Sequence, residues 1–543
     1  MQSTWVASSP MTPRSRSRGV CTHLSVLSGT MHKAKTTPEG TALPKITTQD
    51  LESRLWGAAN ALRGPVDPAD FKTYVFPLLF WKWISDTWVH EQDEAYEEFG
   101  DDLTDEIEAD YHRFVVPERT LWSEVTKTTQ VGLGGRIGKA LAQIESANVD
   151  VLANIFGDAA WGNDERLPES ALIALVDEFN KIPLDPESVS HDALGHAYEY
   201  LLKQFAEASG KKAGEFFTPP VVVHLLVGIL APQPGESVYD PACGSGGMLV
   251  ETINAVNASG GDGREVRLYG QEVNLTTSAI ARMNLAFHKV AASEIKRGDT
   301  LRAPQFRDDT TGIRQFDVVL ANPPFSLSNW GADTWAADPR SFCGVPPAKN
   351  GDYAWIQHMI CSMRDKTGRV GVVMPHGVLF RGGAEAKIRE CLIREDRLEA
   401  VIGLPPNLFY STSIPACLLI FKNTKDAARK DHVLFVDGSA RFVKGKNQNV
   451  MSEDDMNAVL AASQTGEDPD GDDGVNVRLV PVSEIEENGY DLNIGRYVRA
   501  AAEEGADLDT ALKAYADARA ARIEAEQRMF ERLAAAGIEV PGV

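Results

Sequence analysis

Positive charge is scarce in this chain: 54 Lys and Arg stand against 77 Asp and Glu, a formal net charge of −23 over 543 residues. A protein so acidic cannot coat nucleic acid unaided. If it handles DNA, it does so through a local basic cleft or with a partner that supplies the positive surface. Cysteine is also sparse. Cys21, Cys243, Cys343, Cys361, Cys391 and Cys417 are scattered with no CxxC pair. That argues against a zinc site or a disulfide framework, so no metal is expected, and it fits a reducing cytoplasm. Long apolar runs are missing as well. The best, Val221 to Leu230, is interrupted by His224 and falls short of the roughly 18 residues that suggest a membrane span. Neither G-x-G-x-x-G nor the Lys of a P-loop accompanies the glycine-rich turn described below.

What is present reads as an ordinary globular composition, 43% hydrophobic and 24% charged, in a chain long enough for about two to four domains. Residues 1–45 are rich in Ser, Thr and Pro, with Arg14, Arg16, Arg18, Lys33 and Lys35 and no acid before Glu39. No periodicity marks them, so a disordered extension is expected, with Met31 as an alternative start. Thr47 is placed to cap a helix through Leu51, Leu55 and Leu62. Asp67-Pro68-Ala69-Asp70 opens a second, Phe71 to Val89, whose aromatic stripe (Tyr74, Phe76, Phe80, Trp81, Trp83, Trp88) suits a core better than a base-stacking platform. With Ile137–Ile144, Pro168–Phe179 and His191–Ala208, the pattern makes 46–205 one helical domain. Eleven acidic residues and no Lys or Arg lie between Glu91 and Asp110, which reads as a solvated face.

Strand and helix patterns then alternate over 206–440, within a domain expected at 206–480 and read as the catalytic one. Strands are expected at 236–240, 267–272, 295–297, 316–321, 369–374, 398–404 and 416–421. Such alternation predicts an α/β fold with a doubly wound, mostly parallel sheet. The last strand follows its predecessor too closely for a crossover helix, so that pair should be antiparallel. Residues 481–543 form a C-terminal segment, ending in an amphipathic helix over 507–536 that either packs on its own domain or is offered to a partner.

The chemistry gathers at strand ends, where open α/β sheets bind ligands. Asp240-Pro241-Ala242-Cys243-Gly244-Ser245-Gly246-Gly247 joins the first strand to a helix. Its glycines permit close approach of backbone to ligand, and Cys243 is expected to be structural. Glu272 ends the second strand, where a carboxylate suits ribose hydroxyls. Asp299 follows the third and can accept from an exocyclic amine. Asn322-Pro323-Pro324-Phe325 ends the fourth, because proline cannot continue a ladder. Together these describe an adenosine-type ligand beside a second pocket.

Gly214-Glu215-Phe216-Phe217-Thr218-Pro219-Pro220, then the Asp240 turn, then Asn322–Phe325, resemble the N6-adenine DNA methyltransferases. More narrowly, His191–Tyr200, Leu404-Pro405-Pro406-Asn407-Leu408-Phe409 and Tyr490–Tyr497 resemble the M (modification) subunit of type I restriction-modification systems. The resemblance covers about 46–500. It implies a Rossmann-like methyltransferase sheet and S-adenosylmethionine as cofactor. Glu215, Phe216, Phe217, Thr218, Pro219 and Pro220 would close over the methionine part, Ser245, Gly246 and Gly247 would line it, Glu272 would bind ribose and Asp299 adenine. It also implies double-stranded DNA as substrate, a separate specificity subunit gripped by two copies of this chain, and a restriction subunit.

The N6 amine of adenine is a poor nucleophile because its lone pair is delocalised into the ring. Asn322 Oδ1 and the Pro323 carbonyl can accept its two hydrogens and favour a tetrahedral nitrogen, with Phe325 stacking on a flipped-out base. An amide of protein glutamine, or RNA, poses the same problem to such a site, but the helical N-terminal domain and the tail favour the DNA subunit. A scaffold without activity is opposed by the intact Asn322–Phe325 set. Residues 326–350 are too short to read DNA sequence and are expected as a mobile loop over the substrate.

Overall fold

Thr47 caps the helix Thr48–Ala59, its hydroxyl accepting from the Asp50 amide at 3.2 Å. The computed structural model describes residues 45–127, 131–208, 218–290, 293–308, 312–409, 414–446, 448–468, 475–498 and 508–535. The expected extension therefore lies almost wholly outside the described residues, as do Glu215, Phe216 and Phe217. Asp67 accepts from Ala69 at a short turn that starts the helix Phe71–Phe99. That helix runs past Val89 and carries the first half of the acidic run on its largely exposed end. Its aromatic residues are core: Tyr74, Phe76, Phe80, Trp81 and Trp83 are buried. Phe80 and Trp83 lie 5.5 and 5.0 Å from the ring of Phe287.

Phe287 ends the helix Leu275–Phe287, which begins just after Glu272. The hydroxyl of Tyr198, in the helix His191–Ala208, donates to the Ile280 carbonyl of the same helix at 2.9 Å. The N-terminal helices thus share a hydrophobic core with a helix rooted beside Glu272.

The sheet has nine strands: β1 Ser237–Asp240, β2 Arg267–Glu272, β3 Ser293–Arg297, β4 Val318–Ala321, β5 Arg369–Pro375, β6 Leu398–Gly403, β7 Ala416–Lys422, β8 His432–Asp437 and β9 Asn476–Pro481, in the order β3-β2-β1-β4-β5-β7-β6-β8-β9. β1, β4 and β6 are buried along their whole length, as expected of strands covered on both faces. β3-β2-β1-β4-β5 pair in parallel. β7 is antiparallel to both β5 and β6, as its short connection predicts, while β8 is parallel to β6. Two reversals restore the direction, so the carboxyl ends of β1 to β6 and of β8 all reach one edge.

Three expectations change. β8 and the antiparallel edge strand β9 extend the sheet beyond the predicted set; β9 alternates weakly and pairs with a strand far away in sequence, so no local pattern marks it. The 326–350 segment is a packed insert rather than a mobile loop, with Trp330, Trp335 and Arg340 buried. Finally, a disulfide joins Cys343 of that insert to Cys391 of the helix Ala384–Arg394, with Cα atoms 5.7 Å apart across 48 residues. Spacing along the chain gives no hint of this pair, because only the fold brings the insert against that helix. No helix among the described residues is long and apolar enough to cross a membrane.

Candidate active site

β4 delivers Asn322 to the sheet edge, and the two prolines stop the ladder there. The Asn322 amide is oriented: its Nδ2 donates to the Thr218 hydroxyl at 2.9 Å. That bond turns the amide nitrogen toward Thr218 and leaves Oδ1 without a donor among the described residues. Pro323 is buried, Pro324 is exposed and Phe325 is half-buried. Phe325 meets Phe409 edge-on, with ring centroids 6.3 Å apart, so the 404–409 loop after β6 supports the tip of β4.

Beside Asn322 opens a cavity of about 480 Å³ lined by Asp240, Gly244, Ser245, Gly247, Glu272 and Asp299. Thr218, Asn322 and Pro324 line it too. Of the other predicted residues, Pro219, Pro220, Gly246, Pro323 and Phe325 are not among its walls. Gly246 instead caps the helix Gly247–Ala258 with φ 80°, and Pro220 opens the helix Pro220–Leu230. The turn packs hard on β2. A Cβ at Gly270 would lie 2.9 Å from Cys243 Sγ. Cys243 is buried and its thiol pKa is pushed up by burial, which suits a structural role.

Glu272 binds the turn that faces it. Its Oε2 accepts from the Gly244 amide at 3.1 Å and its Oε1 from Asn274 at 2.8 Å. Burial raises its pKa in spite of these bonds. Asp240 accepts from Ala242 at 2.9 Å. Burial pushes its pKa up to about 8, against that hydrogen bond and with a further push from Glu272. A cationic ligand would favour the ionised form of these two buried carboxyl groups. Asp299 is more committed: Oδ1 accepts from the Leu301 and Arg302 amides, each at 3.1 Å, and Oδ2 pairs with Arg302 at 3.1 Å.

Several residues here carry no sequence signal. Arg302 lines the cavity and also donates to the Asn329 carbonyl of the insert. Trp355 lines it with 6% exposure, and its indole N–H lacks a partner among the described residues. Behind the wall, Arg340 donates to the Thr300 and Leu301 carbonyls at 3.0 and 2.6 Å and to Asp338 at 2.7 Å. It also reaches His358 Nδ1 at 3.1 Å. Burial and this guanidinium push the His358 pKa down to about 3, so the ring is neutral and accepts. Thr300 in turn donates to the Pro241 carbonyl at 2.6 Å. The insert thereby locks the turn after β3 to the turn after β1. A lone arginine in a Gly/Pro-rich stretch does not announce this, since its partners come from other strands.

The model of the N-6 DNA methylase family matches residues 189–506, and that of the HsdM N-terminal domain matches 51–179. The chain is 28% identical over 519 residues to the type I restriction enzyme MjaIX methylase subunit of Methanocaldococcus jannaschii, covering 90% of each chain. It is 34% identical over 384 residues to the HindI methylase subunit of Haemophilus influenzae, covering 69% of this chain and 84% of that one. The crystal structure of a type I restriction-modification methyltransferase subunit from Streptococcus thermophilus is similar, with TM-score 0.73 and 32% identity, covering 84% of this chain and all of that one.

Proposed function

The chain belongs to the N-6 DNA methylase family, as a methylase subunit of the type I restriction enzymes, and from that premise we propose how its site transfers a methyl group to adenine. The cofactor is S-adenosylmethionine, which when bound supplies an electrophilic methyl group on a positively charged sulfur. The cavity suits it: backbone of the glycine turn for close approach, Glu272 for the ribose diol, Asp299 for the adenine amine, and two buried carboxyl groups for positive charge. Residues 215–220 would close over its methionine part.

On the other side of Asn322 lies the base. Asn322 Oδ1 accepts one N6–H of the flipped adenine and the Pro323 carbonyl accepts the other. With the lone pair drawn out of conjugation, N6 would take the methyl as its carbon–sulfur bond breaks, the sulfur would leave as a neutral thioether, and the surplus N6 proton would pass to solvent. Phe325, propped by Phe409, is the stacking surface, worth about 1–3 kcal/mol. In this reading 46–205 is the helical domain, 206–480 the catalytic domain and 481–543 the segment that assembles. Two copies of the chain grip one specificity subunit on double-stranded DNA, and a restriction subunit joins for cleavage. The exposed apolar side chains of the helix Leu508–Ala535, Leu512, Tyr515, Ile523 and Met529, form part of that grip.

The observation that carries the chemistry is the Thr218–Asn322 hydrogen bond, which fixes the amide so that its oxygen is the atom left to accept. Asn322→Ala should abolish methylation while leaving cofactor binding nearly intact, because one preorganised contact is worth about 3–4 kcal/mol in the barrier. Near-normal turnover by that variant, in the assembled complex, would sink the mechanism.

A further inference from the structure

We propose that the hairpin 443–450 is a phosphate-binding finger that holds the DNA backbone beside the flipped base. The common strand edge divides at β4. The cofactor cavity occupies the ends of β1, β2 and β3, so a base presented to Asn322 comes from the side of β5, β6 and β8. The 443–450 segment follows β8 and sits on that side. Val443 and Val450 exchange backbone hydrogen bonds of 2.8 and 2.9 Å, pairing the two ends of the segment in antiparallel; Asn447 between them lies outside the described residues.

The hairpin is fastened to the loop that props Phe325. Asn449 donates from its amide nitrogen to the Asn407 carbonyl at 2.9 Å and from its side chain to the Pro406 carbonyl at 2.7 Å. Gln448 donates to the Leu408 carbonyl at 3.3 Å, and Leu408 precedes Phe409, the ring against Phe325. The turn is built tightly. A Cβ at Gly445 would lie 2.2 Å from the Gln448 carbonyl oxygen, so no other residue fits without rearranging it.

On this fixed base stand Lys444 and Lys446, both exposed, and neither has an ion pair among the described residues. In a chain of net charge −23, two exposed lysines without an ion pair among the described residues stand one contact from the loop that props Phe325, on the side where a phosphate backbone must pass. Lysine serves well there, since it meets phosphate as a point charge without reading sequence. The inference rests on the adenine-methylating reading of Asn322–Phe325, from which the side of DNA approach follows.

The test uses the chain assembled with its specificity subunit and a duplex carrying the target site. Lys444→Ala combined with Lys446→Ala should leave S-adenosylmethionine affinity and subunit assembly unchanged. The slope of log affinity against log salt should shrink by about 2, one phosphate contact per lysine. The double Lys→Arg variant should keep the parental slope. An unchanged slope and affinity in the double alanine variant would overturn the proposal. So would loss of the specificity subunit, which would assign the lysines to a protein contact. The binding measurement needs no methyl transfer. A parent complex that leaves adenine unmodified would therefore refute the reading of Asn322 while the salt slope still decides the hairpin.

Discussion

Asp240 and Glu272 set the chemistry of the cavity by being buried where a cation is to bind. Asp240, pushed up to about 8 from an ordinary 3.8, holds its proton at neutral pH in the free protein. A positively charged ligand favours the ionised carboxylate, so binding releases a proton. Cofactor affinity should rise as pH increases toward about 8 and level off above it, and Asp240→Asn should flatten that dependence in calorimetry. The sign for stability is the reverse. A carboxyl whose folded pKa lies above its unfolded value binds more protons when folded, so its contribution is fully present below pH 3.8 and is lost as pH rises to about 8. The Asp240→Asn melting temperature should accordingly fall less over that interval than the parent's. Glu272→Ala should weaken S-adenosylmethionine by about 1–3 kcal/mol, the cost of leaving a diol without its acceptor; unchanged affinity would remove Glu272 from the site.

The elements that could be read from sequence are those whose cause is local. Thr47 announces its helix because a hydroxyl meets an amide three residues on, and Asn322 announces a strand end because two prolines follow it. The β6–β7 reversal follows from a connection too short for a helix. What stayed hidden depends on partners distant in the chain. β8 finds β9 across a helix and an acidic stretch, Cys343 finds Cys391 across 48 residues, and Arg340 finds carbonyls on the far side of β1. Of the candidate site, the four strand-end motifs that meet at one cavity were legible, while Trp355 and Arg302 were not, because neither composition nor spacing marks a residue as facing a cavity. The insert's order rests on Arg340. Arg340→Met should cost about 1–3 kcal/mol in denaturant unfolding, because the Thr300 and Leu301 carbonyls lose their donor while the part-exposed Asp338 can turn to water.

At the scale of the whole molecule, the acidity that opened the sequence reading becomes a division of labour. With a net charge of −23, the isolated chain should bind DNA feebly at physiological salt and should methylate no defined sequence by itself. Deleting 507–543 should leave a folded protein that binds cofactor but no longer co-purifies with the specificity subunit; retained assembly would make the tail dispensable. Within the assembled enzyme, the Thr218–Asn322 bond ties the two halves of the site together. Thr218 belongs to the segment proposed to close on the cofactor, and the same hydroxyl orients the amide proposed to receive the base. The bond stands in the protein alone, so the acceptor is aimed before either ligand arrives. Thr218→Val should free the amide to rotate and lower kcat more than it weakens S-adenosylmethionine binding.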